Sequence, residues 1–288
     1  METFFSFLEK RVDDSSSLLC IGLDPHVADL SAPTAEAALD FCLGLVKQTA
    51  RYAAAFKPNA AFFEQFGAEG WAVLKQVITA IQDESNRQGS LIPVILDAKR
   101  GDIASTAEAY AASAFQTLGA HCITLSPYLG KDSIDPFLQY REKGVFLLCK
   151  TSNAGAGDLQ ELLVTGSVDP SSSVPNPQSS VPLYIHVARL AQSWNTGNNI
   201  GLVVGATQLD ALARVRVAAP QLWFLAPGVG AQGGDLEAAL HAGLRKDGKG
   251  MLIPVSRGIS RAEKPGLAAA ELRDQILMIR DQKIRHGE

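Results

Sequence analysis

Long apolar runs are missing from this 288-residue chain. None approaches the roughly 18 residues that a membrane-spanning helix needs, so no membrane partner is expected. The start, Met1-Glu2-Thr3-Phe4-Phe5-Ser6-Phe7-Leu8-Glu9-Lys10, has neither the basic opening nor the extended apolar core of a secretory signal. Its Phe4, Phe5, Leu8 and Val12 fall on one face of a short amphipathic helix instead. Cysteine is scarce. Cys20, Cys42, Cys122 and Cys149 lie far apart with no Cys-x-x-Cys spacing, and three of them sit in apolar runs. They read as small buried hydrophobes in a reducing cytoplasm, which is the expected location. The five histidines, His26, His121, His186, His241 and His286, do not cluster, so no metal site is expected and none is taken as a general base. Positive charge is not in excess either. A net charge of −4 without a long Lys/Arg block speaks for solubility and against a nucleic-acid partner.

What is present is a globular composition, 47% hydrophobic and 19% charged, on a chain long enough to bury a large core. Eight short apolar runs recur: Leu18–Leu23, Ala54–Lys57, Leu91–Leu96, Cys122–Leu125, Val145–Cys149, Ile200–Val204, Leu222–Ala226 and Met251–Val255. Helical patterns separate or follow them, at Ala35–Tyr52, Gly70–Arg87, Thr106–Leu118, Tyr184–Trp194, Leu209–Ala218, Asp235–Gly243 and Ala268–His286. Strands alternating with helices imply parallel βαβ units. Eight such units in roughly 250 residues are the count and length of a (β/α)8 TIM barrel, with a doubly wound sheet as competitor. The expectation is therefore one α/β domain over 1–288, with the short helix at its N-terminus. One segment, Thr165 to Pro182, is rich in Ser and Pro and reads as a surface excursion after the fifth strand, either a lid or a plain insertion.

The most informative stretch is Val94-Ile95-Leu96-Asp97-Ala98-Lys99-Arg100-Gly101-Asp102-Ile103. An apolar run ends in four charges, Asp97, Lys99, Arg100 and Asp102. Residues two apart share a face of a strand, so Asp97 and Lys99 project side by side. A carboxylate and an ammonium held at the mouth of a sheet form a preorganised electrostatic site. In a barrel the chemistry sits at the carboxyl ends of the strands. The residues that follow the other runs there are Gly22-Leu23-Asp24-Pro25, Phe56-Lys57-Pro58-Asn59, Lys150-Thr151-Ser152-Asn153, Pro227 to Asp235, and Ser256-Arg257-Gly258. Singly, each has a plain alternative. Asp24 could form a turn, Lys57 could be a solvated rim lysine, Asp102 could cap a helix, and Ser152 could make a local turn. Polar groups converging from six strands are harder to dismiss.

Gly228-Val229-Gly230-Ala231-Gln232-Gly233 matches G-x-G-x-x-G by letter. A dinucleotide fold wants that loop after its first strand, and Asp247 lies in a turn, so the dinucleotide reading is set aside. In a barrel the loops after strands seven and eight commonly hold a phosphate on backbone N–H groups. Gln232 adds donors there and Arg257 a planar bidentate cation, so the substrate is expected to be a phosphate ester.

The run Asp97-Ala98-Lys99-Arg100-Gly101-Asp102-Ile103-Ala104-Ser105-Thr106, with Phe56-Lys57-Pro58-Asn59 before it and Pro227 to Gly234 after it, resembles orotidine 5′-phosphate decarboxylase, most closely its longer bacterial subgroup. The resemblance runs from about Leu18 to about Ile259. It implies decarboxylation of orotidine 5′-monophosphate to uridine 5′-monophosphate without metal or organic cofactor. It also implies a homodimer with shared active sites. By the same resemblance Lys57, Asp97, Lys99 and Asp102 form an alternating charge array, with Lys99 delivering a proton. Asp102, Ile103 and Thr106 reach the partner's site. Asp24 and Lys57 hold the ribose, with Asn59 nearby. Ser152, or the adjacent Thr151, meets the pyrimidine edge. Gln232, Arg257 and amides near Gly228 and Gly258 bind phosphate. Two other readings stay open: a Mg²⁺-dependent sugar-phosphate lyase or synthase of the same barrel suprafamily, and a non-catalytic nucleotide-binding barrel.

Overall fold

A computed structural model describes residues 2–165, 180–229 and 233–286. Eight parallel strands form a nearly closed barrel: β1 (Leu19–Leu23), β2 (Ala55–Pro58), β3 (Ile95–Arg100), β4 (Cys122–Leu125), β5 (Gly144–Lys150), β8 (Ile200–Val204), β9 (Phe224–Leu225) and β10 (Met251–Val255). The order around the sheet is β2-β1-β10-β9-β8-β5-β4-β3. The two ends meet through the parallel bridges Phe56↔Val94 and Asn59↔Asp97, with the Phe56 N–H donating to the Pro93 carbonyl at 2.9 Å. The strands are apolar and buried because helices cover the outside while side chains fill the inside, so the eight runs read as continuous hydrophobic segments. All four cysteines are buried among them or on the covering helices. Among the described residues no helix is long and apolar enough to cross a membrane.

The helices fall close to the sequence pattern. They include Ala35–Thr49, Gly67–Gln88, Leu183–Trp194, Leu209–Ala218, Leu236–Gly243 and Pro265–His286. Asp235 accepts the Ala238 N–H at 3.1 Å and so caps the Leu236–Gly243 helix. Two differences matter. Residues 91–93 are not in strand, since Pro93 has no N–H to give a ladder. β3 therefore starts at Ile95 and carries Asp97, Lys99 and Arg100 within the strand, with Asp102 just beyond it. The Thr106–Leu118 pattern also splits, into an α-helix at Ala104–Ala112 and a π turn at Ser113–Thr117.

At the base of the Ser/Pro excursion lies an antiparallel pair, β6 (Leu163–Thr165) and β7 (Ser180–Pro182), while residues 166–179 lie outside the described part. Buried Lys150 at the end of β5 pairs with Glu161 at 2.9 Å and lies 5.7 Å from the Tyr184 ring. These contacts tie the segment before the hairpin to the barrel.

The N-terminal helix Phe4–Ser15 closes the amino ends of the strands. Thr3 caps it by accepting the Ser6 N–H. Phe5 lies edge-on to Phe146 (5.6 Å) and stacks with Trp223 (6.4 Å). Gly144 leaves room for Phe4, since a Cβ there would stand 2.4 Å from the ring. Losing such an aromatic plug costs about 3–5 kcal/mol.

At the same end His121 accepts the Val94 N–H on Nδ1 at 3.1 Å and meets the Phe7 ring at 5.6 Å. Burial, and then the charge of Lys143, lowers its pKa from the ordinary 6.5 to about 4. The unfolded chain takes up the proton as pH falls through 6.5, while the folded chain refuses it until about 4. The neutral imidazole thus contributes stability above 6.5 that is lost across this window. Thermal melts should show Tm falling between these pH values, with the slope reduced in His121→Gln.

Candidate functional site

The carboxyl ends of the strands meet in one pocket of about 240 Å³. Asp24, Lys57, Asn59, Asp97, Gly228, Arg257 and Gly258 all line it. Lys57 leaves β2 and Asp97 leaves β3. The Asn59↔Asp97 bridge and the Ala60 N–H donating to the Asp97 carbonyl at 3.1 Å set their register. Lys57 Nζ then donates to Asp97 Oδ2 at 2.8 Å, and Lys99 Nζ to Asp97 Oδ1 at 2.5 Å. Lys57 and Asp97 are largely shielded, whereas the Lys99 side chain is 50% exposed. One carboxylate thus sits between two ammonium groups.

Asp97 and Lys99 meet as expected, but not because a regular strand puts them on one face. The β3–β4 register jumps between Leu96 and Arg100, and Lys99 adopts the left-handed conformation at φ +48°. An L residue there pays in steric energy, and such strain tends to gather at functional positions.

Burial alone pushes the Asp97 carboxyl upward. Lys57 and Lys99, by charge and hydrogen bond, outweigh it and hold the group well below the usual carboxylate range. Burial likewise lowers Lys57, but the charges of Asp97 and Asp24 reverse that and leave its ammonium above its ordinary value. Both groups are therefore ionised at neutral pH. Close to them, burial pushes the Cys20 thiol up to about 12, so it is not a nucleophile.

At the other end of the pocket the chain bends sharply at Gly228, whose φ of +118° suits glycine. Its carbonyl accepts the Gly234 N–H at 3.0 Å. Gln232 lies outside the described residues. Arg257 and Gly258 follow β10 and face this loop across the pocket. Gly22 on β1 admits Ser256, because a Cβ there would stand 2.7 Å from the serine Cβ. Asp24 Oδ1 and Ser256 Oγ are buried without a hydrogen-bond partner among the described residues. Two orphan oxygens lining one pocket suit a polar ligand.

Lys99, Asp102, Ile103, Thr106 and Ser152 are not among the residues lining this pocket; Lys99 adjoins it through its contact with Asp97. Asp102 Oδ1 accepts the adjacent Ile103 N–H at 2.8 Å and does not cap the Ala104–Ala112 helix. Ile103 is 52% exposed and Thr106 is also exposed, so this edge faces outward. Ser152 stands at the end of β5 against Gly205. Thr151 is engaged elsewhere: its N–H donates to Gln160 Oε1, its hydroxyl donates to Asn153 Oδ1, and Gln160 Nε2 donates to that hydroxyl.

Four residues found here had no individual role assigned from the sequence. His26 and Phe62, with ring centroids 4.2 Å apart, form a wall of the pocket. Ser256 precedes the expected arginine. Thr124 on β4 donates to Asp97 Oδ1 at 3.1 Å. A hydroxyl inside the apolar run Cys122–Leu125 was the available signal for the last.

The profile of the Orotidine 5′-phosphate decarboxylase / HUMPS family matches residues 17–272. A protein of Roseiflexus castenholzii (strain DSM 13941 / HLO8) named orotidine 5′-phosphate decarboxylase is 45% identical over 282 residues, covering 96% of each chain. Its namesake in Cupriavidus taiwanensis is 44% identical over 291 residues, covering 99% of this chain and all of the relative. Among solved structures, the OMP decarboxylase of Leishmania donovani is 53% identical, with a TM-score of 0.83 over 97% of this chain and 99% of that one. The Leishmania donovani UMP synthase is 55% identical with a TM-score of 0.85, and the chain spans 57% of its length.

Replacing Asp97 by alanine leaves the two ammonium groups facing each other, one of them shielded from water. Asp97→Ala should lose about 3 kcal/mol of stability, as expected when one partner of a buried pair is removed. Denaturant unfolding measures the loss, and double replacement with Lys57→Met should recover part of it.

Proposed function

The chain belongs to the orotidine 5′-phosphate decarboxylase / HUMPS family, and from this we propose that it converts orotidine 5′-monophosphate to uridine 5′-monophosphate and CO₂ in pyrimidine biosynthesis. The observation that carries the mechanism is the Lys57–Asp97–Lys99 cluster, in which Lys57 and Asp97 line a pocket shared with Gly228 and Arg257 and Lys99 pairs with Asp97 beside it. The bond from C6 to the carboxylate carbon breaks, CO₂ departs, and the electron pair stays on C6. No ring group stabilises that pair well, so the fixed charges of the protein must. Lys99 offers the positive charge and then a proton from Nζ, giving the C6–H bond of the product. Asp97 lies where the substrate carboxylate would be crowded by a like charge, which favours its loss. Asp24 and Lys57, with Asn59 beside them, hold the ribose hydroxyls; the orphan Asp24 Oδ1 supplies an acceptor. Arg257, Gln232 and amides near Gly228 and Gly258 hold the phosphate. Ser152, or the adjacent Thr151 whose groups engage Gln160 and Asn153, meets the pyrimidine edge.

The reaction needs no metal or organic cofactor on this reading. Both Asp97 oxygens already accept ammonium protons, which suits a charge array better than a Mg²⁺ ligand. The enzyme acts as a homodimer with shared sites. Asp102, Ile103 and Thr106 follow β3, and Tyr128 and Leu129 follow the adjoining β4; the exposed Ile103, Tyr128 and Leu129 suit a second copy. From there Asp102 completes the alternating array of the neighbouring subunit. Four buried, unpaired thiols fit the cytoplasm.

Purified protein in chelator should consume orotidine 5′-monophosphate, followed by absorbance. Lys99→Ala should abolish turnover while uridine 5′-monophosphate still binds. Persistent activity in Lys99→Ala, or a strict Mg²⁺ requirement, would remove this reading. Mixing inactive Lys99→Ala with inactive Asp102→Ala should restore part of the activity through hybrid dimers carrying one intact site; no recovery would count against shared sites.

A further inference from the structure

We propose that Thr124 is a positioning residue for the proton donor, setting both the backbone of Lys99 and the carboxylate of Asp97; this rests on the decarboxylase reading above. β3 and β4 pair in register at Ile95↔Cys122 and Leu96↔Ile123, and again at Arg100↔Leu125. Between those points β3 advances four residues and β4 only two. Asp97, Ala98 and Lys99 therefore face Thr124 alone, as in a bulge with two additional residues.

Such a bulge strands backbone donors, because the opposite strand has too few carbonyls. Thr124 Oγ1 replaces them, accepting the Ala98 N–H at 3.1 Å and the Lys99 N–H at 2.9 Å. Its own proton goes to Asp97 Oδ1 at 3.1 Å. A hydroxyl has one proton and two lone pairs, and all three are used. Thr124 is only 1% exposed, so water has little room to take its place.

The consequence for Lys99 is geometric. In a regular strand residues two apart are separated by about 6.6 Å along the axis. The bulge turns Lys99 to φ +48° and brings its Nζ to the same Oδ1 that Thr124 holds. Backbone, carboxylate and ammonium thus form one closed ring through a single hydroxyl. Lys57 secures Asp97 from the β2 side but touches nothing of Lys99's backbone. Thr124 is the group that addresses both.

The test compares Thr124→Val, which keeps shape and removes the hydroxyl, with Thr124→Ser, which keeps it. Thr124→Val should lower kcat roughly 10- to 100-fold while KM for orotidine 5′-monophosphate changes little, since orientation rather than binding is lost. Thr124→Ser should restore most of kcat. In a crystal structure of Thr124→Val, Lys99 should leave the left-handed region and its Nζ should move out of ion-pair reach of Asp97. Wild-type kcat in Thr124→Val, or equal losses in Val and Ser, would overturn the proposal. So would an unmoved Lys99. Should Thr124→Val not fold, Thr124→Cys keeps the volume, weakens all three hydrogen bonds and is read the same way. If the wild type itself fails to turn over orotidine 5′-monophosphate, the functional reading falls, while the crystal comparison still decides what Thr124 holds.

Discussion

A single carboxylate, Asp97, has to stay ionised while most of it is withdrawn from water, and the carboxyl end of the barrel is arranged around that demand. Burial opposes the charge, and two ammonium groups reverse the balance. One comes from β2 and the other from β3 itself. Those two strands form the seam where the barrel closes, joined by isolated bridges rather than a full ladder. A slip of one residue would turn Lys57 to the opposite face of its strand and leave Asp97 with half its support. The register is therefore as much a part of the site as the side chains. The Phe56–Pro93 and Ala60–Asp97 backbone bonds that set it lie directly beneath the charges and beside them.

The two ends of the barrel divide the labour. At the amino end, Phe4 and Phe5 cover Phe146 and Trp223 with edge and stacked contacts. Arg216 likewise spends its guanidinium on carbonyls of Gly243, Leu222 and Gly250. These contacts are stabilising and chemically silent. At the carboxyl end the protein keeps a left-handed Lys99, a second left-handed residue at Ala104, and buried oxygens on Asp24 and Ser256 without partners. Each of these costs stability in the unliganded chain. A well-packed base lets the rim carry such costs.

How much of this could be read in advance follows from which signals are local. Apolar runs such as Cys122–Leu125, Ile200–Val204 and Met251–Val255 coincide with strands because both faces of a parallel barrel are covered, so no alternation blurs them. The places of Asp24, Lys57, Asp97 and Arg257 were legible because polar groups come at or after several apolar runs at once, although each alone has a plain alternative. Thr124 was not, since a threonine in a strand is ordinary and its partners lie in a different segment. The start of β3 was misread for a similar reason. Leu91 and Ile92 look like strand, but Pro93 denies the ladder a donor and Leu91 remains 47% exposed. The left-handed Lys99 leaves no mark in the sequence either, because it is imposed by the register mismatch with β4. Exposure of Ile103 and Thr106 becomes meaningful only once the barrel shows which edge they occupy.

The charge cluster also bears on which chemistry the barrel suits. A barrel that coordinates Mg²⁺ through its carboxylates needs oxygens open to the ion, at near-octahedral geometry. Here Oδ2 of Asp97 accepts from Lys57, and Oδ1 accepts from Lys99 and Thr124. A cation entering would have to displace an ammonium at each oxygen, losing the interactions that hold the carboxyl ionised. The same saturation favours a reaction in which negative charge develops nearby. Lys57 and Lys99 are already oriented before substrate arrives, so no dipole has to rearrange as the charge forms. Fixing them costs a strained backbone and a buried hydroxyl with every valence spent. That expense fits the proposed role of Lys99, which has to stand at one point in space when a bond to carbon breaks.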